Sequence, residues 1–176
     1  MDHDYFTCLI PTKWKLERDK AGDEKSGIFE IMLTLPDKAK PEDGERYFVP
    51  DPFIYVGYYA AKNKQGKTYE CFTKDYEELS QKRQNSEKSR YEVPKNISIN
   101  GKEAKEYVYE VFQEIPRGPL FSTKYWLKAR FIVVKAKSNG FYVLAYKSPG
   151  EFYDQYLPVF DEVANSFKTK VKEDFK

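Results

Sequence analysis

Two kinds of hydrophobic spacing share the chain, and together they predict a sheet closed by a helix. "YFTCLIP" (5–11) reads as a strand stopped by a proline, and Trp14 and Leu16 carry the apolar pattern on. "GIFEIMLTLP" (27–36), opened by Gly27 and stopped by Pro36, predicts a stronger strand. "FIYVGYYAA" (53–61), aromatic and β-branched, predicts another, and the turn "KNKQGK" leads to "TYECF" (68–72) as a returning strand. From Thr73 the spacing changes: Tyr76, Leu79 and Arg83 fall one helical turn apart, with so narrow an apolar stripe that the helix is expected on the surface. Two extended segments around Asn100-Gly101 follow, the second alternating through Tyr107, Tyr109 and Val111.

The most regular stretch lies near the C-terminus. "KARFIVVKAK" and "FYVLAYK" flank Ser138-Asn139-Gly140, and Asn-Gly accepts the positive φ angles of a type I′ turn. With Asn139 and Gly140 as the loop, Val134 is expected opposite Ala145 and Ala136 opposite Val143. Ile132, Val134 and Val143 would then share one face, and Phe131, Val133, Leu144 and Tyr146 the other. A hairpin apolar on both faces is expected to be central and covered on both sides. Ser148-Pro149-Gly150-Glu151 has the form of a capping box with proline at the first helical position. Beyond it Phe152, Tyr156, Val159, Phe160, Val163 and Phe167 line one helical face, with a kink or restart expected at Pro158. This helix is expected to lid the hairpin of residues 129–147.

Composition narrows the function classes. A chain of 176 residues suits one domain, expected over 1–176 with residues 1–4 and 169–176 frayed. Charged residues make up 33%, yet the net charge is only +2 with both signs interspersed, which argues against a nucleic-acid partner. No apolar run is long enough to span a bilayer, and no signal peptide is visible. Two compartments fit: the cytoplasm, or an extracytoplasmic site if an export segment has been removed.

The residues for familiar chemistry are sparse. The single histidine, His3, sits in the terminus expected to fray, so histidine-based nucleophilic systems are not expected. Two distant cysteines and that histidine do not make a zinc site, and no glycine motif cradles phosphate. "DKAKPEDGE" is acidic but carries Ala39 and Pro41 where a calcium loop needs oxygens, so it reads as solvated charge in a long exposed loop, 37–52. Neither cofactor nor metal is expected. Cys8 and Cys71, on separate predicted strands, would pair only in an oxidising compartment and only if those strands are neighbours. Glu110 and Glu114 form a carboxylate pair that nothing distinguishes from strand-edge charge.

Two predicted loops concentrate aromatic and basic residues: Arg46, Tyr47 and Phe48 in one, Arg117, Phe121, Tyr125 and Trp126 in the other. The plain reading is that these rings seal the ends of the sheet. The functional reading is a partner surface, because Arg, Tyr and Trp are the residues that anchor protein interfaces.

Three stretches carry a family resemblance. "YFTCLIPTKW" resembles the opening strand, proline and tryptophan of PsbP-like proteins; "ISINGKEAKEYVYE" resembles their turn into a strand; "FYVLAYKSPGEFYDQYLPVFDEVANSF" resembles their last strand and closing helix. The resemblance implies an α/β/α sandwich, a central antiparallel sheet between helices. It also implies a noncatalytic binding or assembly role in the bacterial cell envelope, with a protein partner and an extracytoplasmic location. Separately from the resemblance, a monomer is expected. A lipid anchor would follow if an export segment had preceded the chain. The alternative from the residues is a small-ligand carrier with an aromatic pocket between sheet and helix, and a hydrolase ranks third.

Overall fold

The computed structural model describes residues 1–35, 50–82, 86–116, 122–137 and 139–170. An eight-stranded antiparallel sheet forms from β2 (Lys15–Glu17), β3 (Ile28–Thr34), β4 (Phe53–Tyr59), β9 (Phe141–Pro149), β8 (Ser122–Lys135), β7 (Lys102–Pro116) and β5 (Ser89–Tyr91), in that order across the sheet. The eighth strand, β6 (Lys95–Ile99), lies beside β7. Helix α2 (Tyr69–Lys82) packs on one face and α3 (Gly150–Ser166) on the other, which is the expected sandwich. Alternation on the central strands divides the core. Tyr142, Leu144 and Tyr146 of β9 meet Phe160 and Val163 of α3. Phe141, Val143 and Ala145, one residue out of phase, meet Phe72 on the α2 side.

The central hairpin is apolar on both faces as expected, but its register differs. Val134 lies opposite Tyr142 and Ile132 opposite Leu144, and Ala136 N–H bonds Gly140 C=O. The loop therefore holds three residues, ending on Asn139 at φ +60°, rather than two. Moving the register by an odd number exchanges faces: Leu144 and Tyr146 join Ile132 under α3, and Val143 joins Phe131 under α2. The Asn100-Gly101 turn does take the two-residue form, with φ +48° and +76° and Ile99 opposite Lys102.

Other elements correct the sequence reading. Residues 69–72 open α2 instead of returning as a strand, and Thr68 Oγ1 accepts from Cys71 N–H there. Cys71 is thus exposed on α2 while Cys8 is buried on the α3 side, and both are free. Helix α1 (Lys20–Ser26), not anticipated, is capped by Asp19 and closed by Gly27 at φ +69°. The capping box does not form: Ser148 stays in the β9 ladder opposite Lys128, fully buried, and its hydroxyl bonds Pro149 C=O. Helix α3 runs continuously through Pro158.

The expected fraying of residues 1–4 is also overturned. The strand β1 (Phe6–Thr7) pairs with β10 (Lys168–Thr169), Lys170 pairs with Asp2, and Lys170 N–H bonds Tyr5 C=O, so the opening residues are clasped to 168–170. Of the other stretch expected to fray, residues 171–176 lie outside the described residues. His3 is 1% exposed and stacked on Phe6 at 4.4 Å. It is a core ring rather than a terminal one.

Candidate functional site

The longest strands run past their neighbours. On the outer side of β8, pairing with β9 ends at Leu127, opposite Pro149. On the outer side of β7, pairing with β5 ends at Val111, opposite Ser89, and Phe112 N–H takes one last bond to Lys88 C=O. From there to the Pro116–Ser122 pair, β7 and β8 bond only to each other among the described residues. They form a two-stranded ribbon about 15 Å long at the usual rise per residue.

Tyr125 and Trp126, expected in a loop, are on β8 in this ribbon and face opposite sides, across from Gln113 and Phe112. Arg117 and Phe121, like Arg46, Tyr47, Phe48 and most of the 37–52 loop, lie outside the described residues. The structure therefore places two of the seven candidates, and it shows Trp126 rooted in a network. Its ring meets Phe112 edge-on at 5.7 Å and lies 4.9 Å from the Arg90 guanidinium. Arg90 pairs with Glu110 at 3.4 Å, Glu110 with Lys128 at 3.6 Å, and the Lys128 ammonium sits 4.4 Å from the Tyr153 ring on α3. A shallow cleft of about 190 Å³ opens among Arg90, Tyr91, Glu92, Tyr109 and Lys128. Further along, Glu114 accepts from Ser122 Oγ and pairs with Lys124, contacts that hold its carboxyl below the usual range. Glu110 and Glu114 are thus both engaged by neighbouring cations.

Trp126 and the cations fasten the ribbon root to the sheet, whereas Tyr125, half-buried on the other face, has no partner ring among the described residues. On the α3 side, the interface between sheet and helix holds no aromatic pocket of the kind a carrier would need, being filled by Tyr142, Tyr146, Phe160 and Phe167, each at most 1% exposed. A second open cleft, about 290 Å³, lies by Ile99, Lys102 and Phe167. Among the described residues no cluster of three His, Cys, Asp or Glu could hold a metal, and no helix is long and apolar enough to cross a membrane. Sequence reasoning missed Arg90 and the half-buried Lys147 of β9. Alternation extended backwards from "FIVV" through "KYWLKA" would have placed Tyr125 and Trp126 on a strand.

No protein family matches the sequence, and no curated protein matches it. Solved structures do. LpqN, involved in cell envelope biogenesis of Mycobacterium tuberculosis, is 9% identical with a TM-score of 0.56, covering 94% of this chain and 83% of its own. PA94 of Pseudomonas aeruginosa, a protein of unknown function, is 11% identical with a TM-score of 0.53, covering 96% and 99%. The cyanobacterial PsbP of Synechocystis is 13% identical with a TM-score of 0.48, covering 95% and 88%. The likeness to LpqN and PA94 spans nearly the whole chain and is one of fold.

Proposed function

We propose that this protein is a noncatalytic binding module serving assembly in the bacterial cell envelope, and that it engages a protein partner through the β7–β8 ribbon. The observation that carries the reading is the ribbon itself. An isolated two-stranded hairpin is marginal in water, so one that extends beyond its sheet with both outer edges unpaired among the described residues is suited to being completed by another chain. Tyr125 stands on it, and Arg117 and Phe121 lie in the sequence between its two strands. The fold shared with LpqN, whose role is in cell envelope biogenesis, supports the compartment.

The test places a photo-crosslinking residue at Thr123, on the ribbon, and compares Arg117→Ala/Tyr125→Ala with the parent in cells. A discrete crosslinked partner that disappears in the double variant, with circular dichroism unchanged, is the expected result. Equal crosslinking by the double variant would move the interface off the ribbon. Trp126 is left intact because its removal would loosen the root.

A further inference from the structure

Most cations of this sheet are matched with acids among the described residues. Lys105 meets Glu77 at 2.5 Å, Lys128 meets Glu110, Lys135 meets Glu70 at 3.0 Å, and Arg130 meets Glu106 at 2.7 Å and Asp161 at 2.5 Å. Lys147 is half-buried on β9, yet no carboxylate among the described residues pairs with it. Its ammonium lies instead 5.3 Å from the centre of the Phe131 ring and 5.9 Å from that of Phe53. Withdrawing a cation from water without a counter-charge is costly, and ring faces compensate only part of it. Burial accordingly lowers the Lys147 pKa, whereas the partnered Lys105 has its own raised.

The surroundings specify what could supply the missing charge. Register sets Thr34, Phe53, Lys147, Ala129, Tyr109 and Tyr91 side by side across six strands, on the face that carries α2. Helix α2 reaches this row at its Tyr109 end, through Tyr76, with ring centroids 6.3 Å apart. Phe53, Tyr91 and Tyr109 are each partly exposed, so rings flank the cation along a strip that still meets solvent. A lone ammonium on an aromatic strip matches an anion carrying an apolar body. An inorganic anion would leave the rings unused, and a neutral apolar ligand would leave the charge uncompensated.

We propose that Lys147 anchors the carboxylate of an amphiphilic small molecule whose aliphatic or aromatic body lies along the Phe53–Tyr109 row. The site is separate from the ribbon and stands independently of the partner reading. Reductive methylation with 13C-formaldehyde keeps lysine charges and gives each ammonium a resolved NMR signal; Lys147→Arg assigns the one of interest. Titration with octanoate is expected to move that signal saturably and to raise its apparent pKa, because a bound carboxylate favours the charged amine. Unlabelled Lys147→Met, which keeps the stem and removes the charge, should bind octanoate at least about tenfold more weakly by calorimetry, the usual order for losing a charge-assisted hydrogen bond. Phosphate and octanol, each offering half of the ligand, should bind more weakly than octanoate. A Lys147 signal that octanoate leaves unmoved, equal octanoate binding by a folded Lys147→Met, or phosphate or octanol binding as tightly as octanoate would each overturn the proposal.

Discussion

Replacing Phe160 by alanine tests the packing of α3 directly. Phe160 is 0% exposed, stacks on Tyr146 with centroids 5.8 Å apart, and has the Arg130 guanidinium 5.4 Å from its ring centre. Truncating a buried phenylalanine costs about 3–5 kcal/mol, the spread reflecting how far the neighbours collapse into the gap. Here the walls are restrained. Tyr146 is fully buried with its hydroxyl on Tyr153 C=O, and Arg130 is tied to both Glu106 and Asp161. The cavity should therefore persist, and we expect a loss of about 4 kcal/mol, with the cation–ring contact a minor part of it. For a chain of this size that corresponds to a fall in Tm of about 8–16 °C. Urea unfolding followed by circular dichroism is the assay, with Phe160→Leu as a milder control. An Ala variant within about 1 kcal/mol of the parent would mean that the stripe is not the lid of the hairpin, and α3 would become a candidate binding surface.

Two further outcomes follow from particular contacts. A Cβ on Gly57 would strike the Tyr55 ring, whose hydroxyl reaches Glu30 at 2.7 Å, so Gly57→Ala should destabilise by about 1–3 kcal/mol, and much less in a Tyr55→Ala background; a double-mutant cycle in urea reads this coupling. Burial, reinforced by Arg18, lowers the His3 pKa below its ordinary 6.5 despite the opposing Asp23 and Asp4. Above 6.5 both states are neutral. As pH falls through 6.5 the unfolded chain takes up the proton first, so stability should drop from there down to the folded-state pKa. A His3→Phe variant should lose that part of the acid-side slope in Tm against pH, and an unchanged slope would refute the assignment.

Much of the fold was legible because several signals agreed. The strands around Ile31, Val56 and Val133, the Asn100-Gly101 turn and the amphipathic stripe of α3 each rest on period, turn chemistry and length together, although Tyr153 rather than the expected Phe152 is the buried ring that opens the stripe. Where one signal stood alone it misled. Asn139-Gly140 reads as a two-residue turn, yet Gly140 serves a different need: a Cβ there would sit 2.5 Å from Tyr59 C=O, so the glycine admits the end of β4 rather than a positive φ. Val134 then lies opposite Tyr142 rather than Ala145, an odd shift of register, and the faces exchange. Ser148 had the capping sequence, but its ladder bonds to Lys128 kept it in the strand. Residues 1–4 look frayed because what ties the opening segment down, Lys168–Thr169 against Phe6–Thr7 and Lys170 against Asp2, lies at the other end of the sequence.

The sites were harder to read for a related reason. Lys147 closes "FYVLAYK" as an ordinary charged residue at a strand end, and Phe53 and Phe131 read as core rings on strands distant in sequence. Nothing local marks the three as a group. They become one only because β4, β9 and β8 are neighbours in a fixed register, and a slip of one residue would send Lys147 to the α3 side. The sequence register proposed for β8 and β9 would have had that effect relative to Phe131, separating the cation from one of its rings. The same dependence holds for Trp126, whose anchoring partners Phe112 and Arg90 come from two other strands, β7 and β5. In an antiparallel sheet the chemistry of a face is thus written across the strands rather than along them. The partnered cations make the point by contrast: each has an acid brought to it by register or by a packed helix, and Lys147 shows the anion that this sheet does not itself provide.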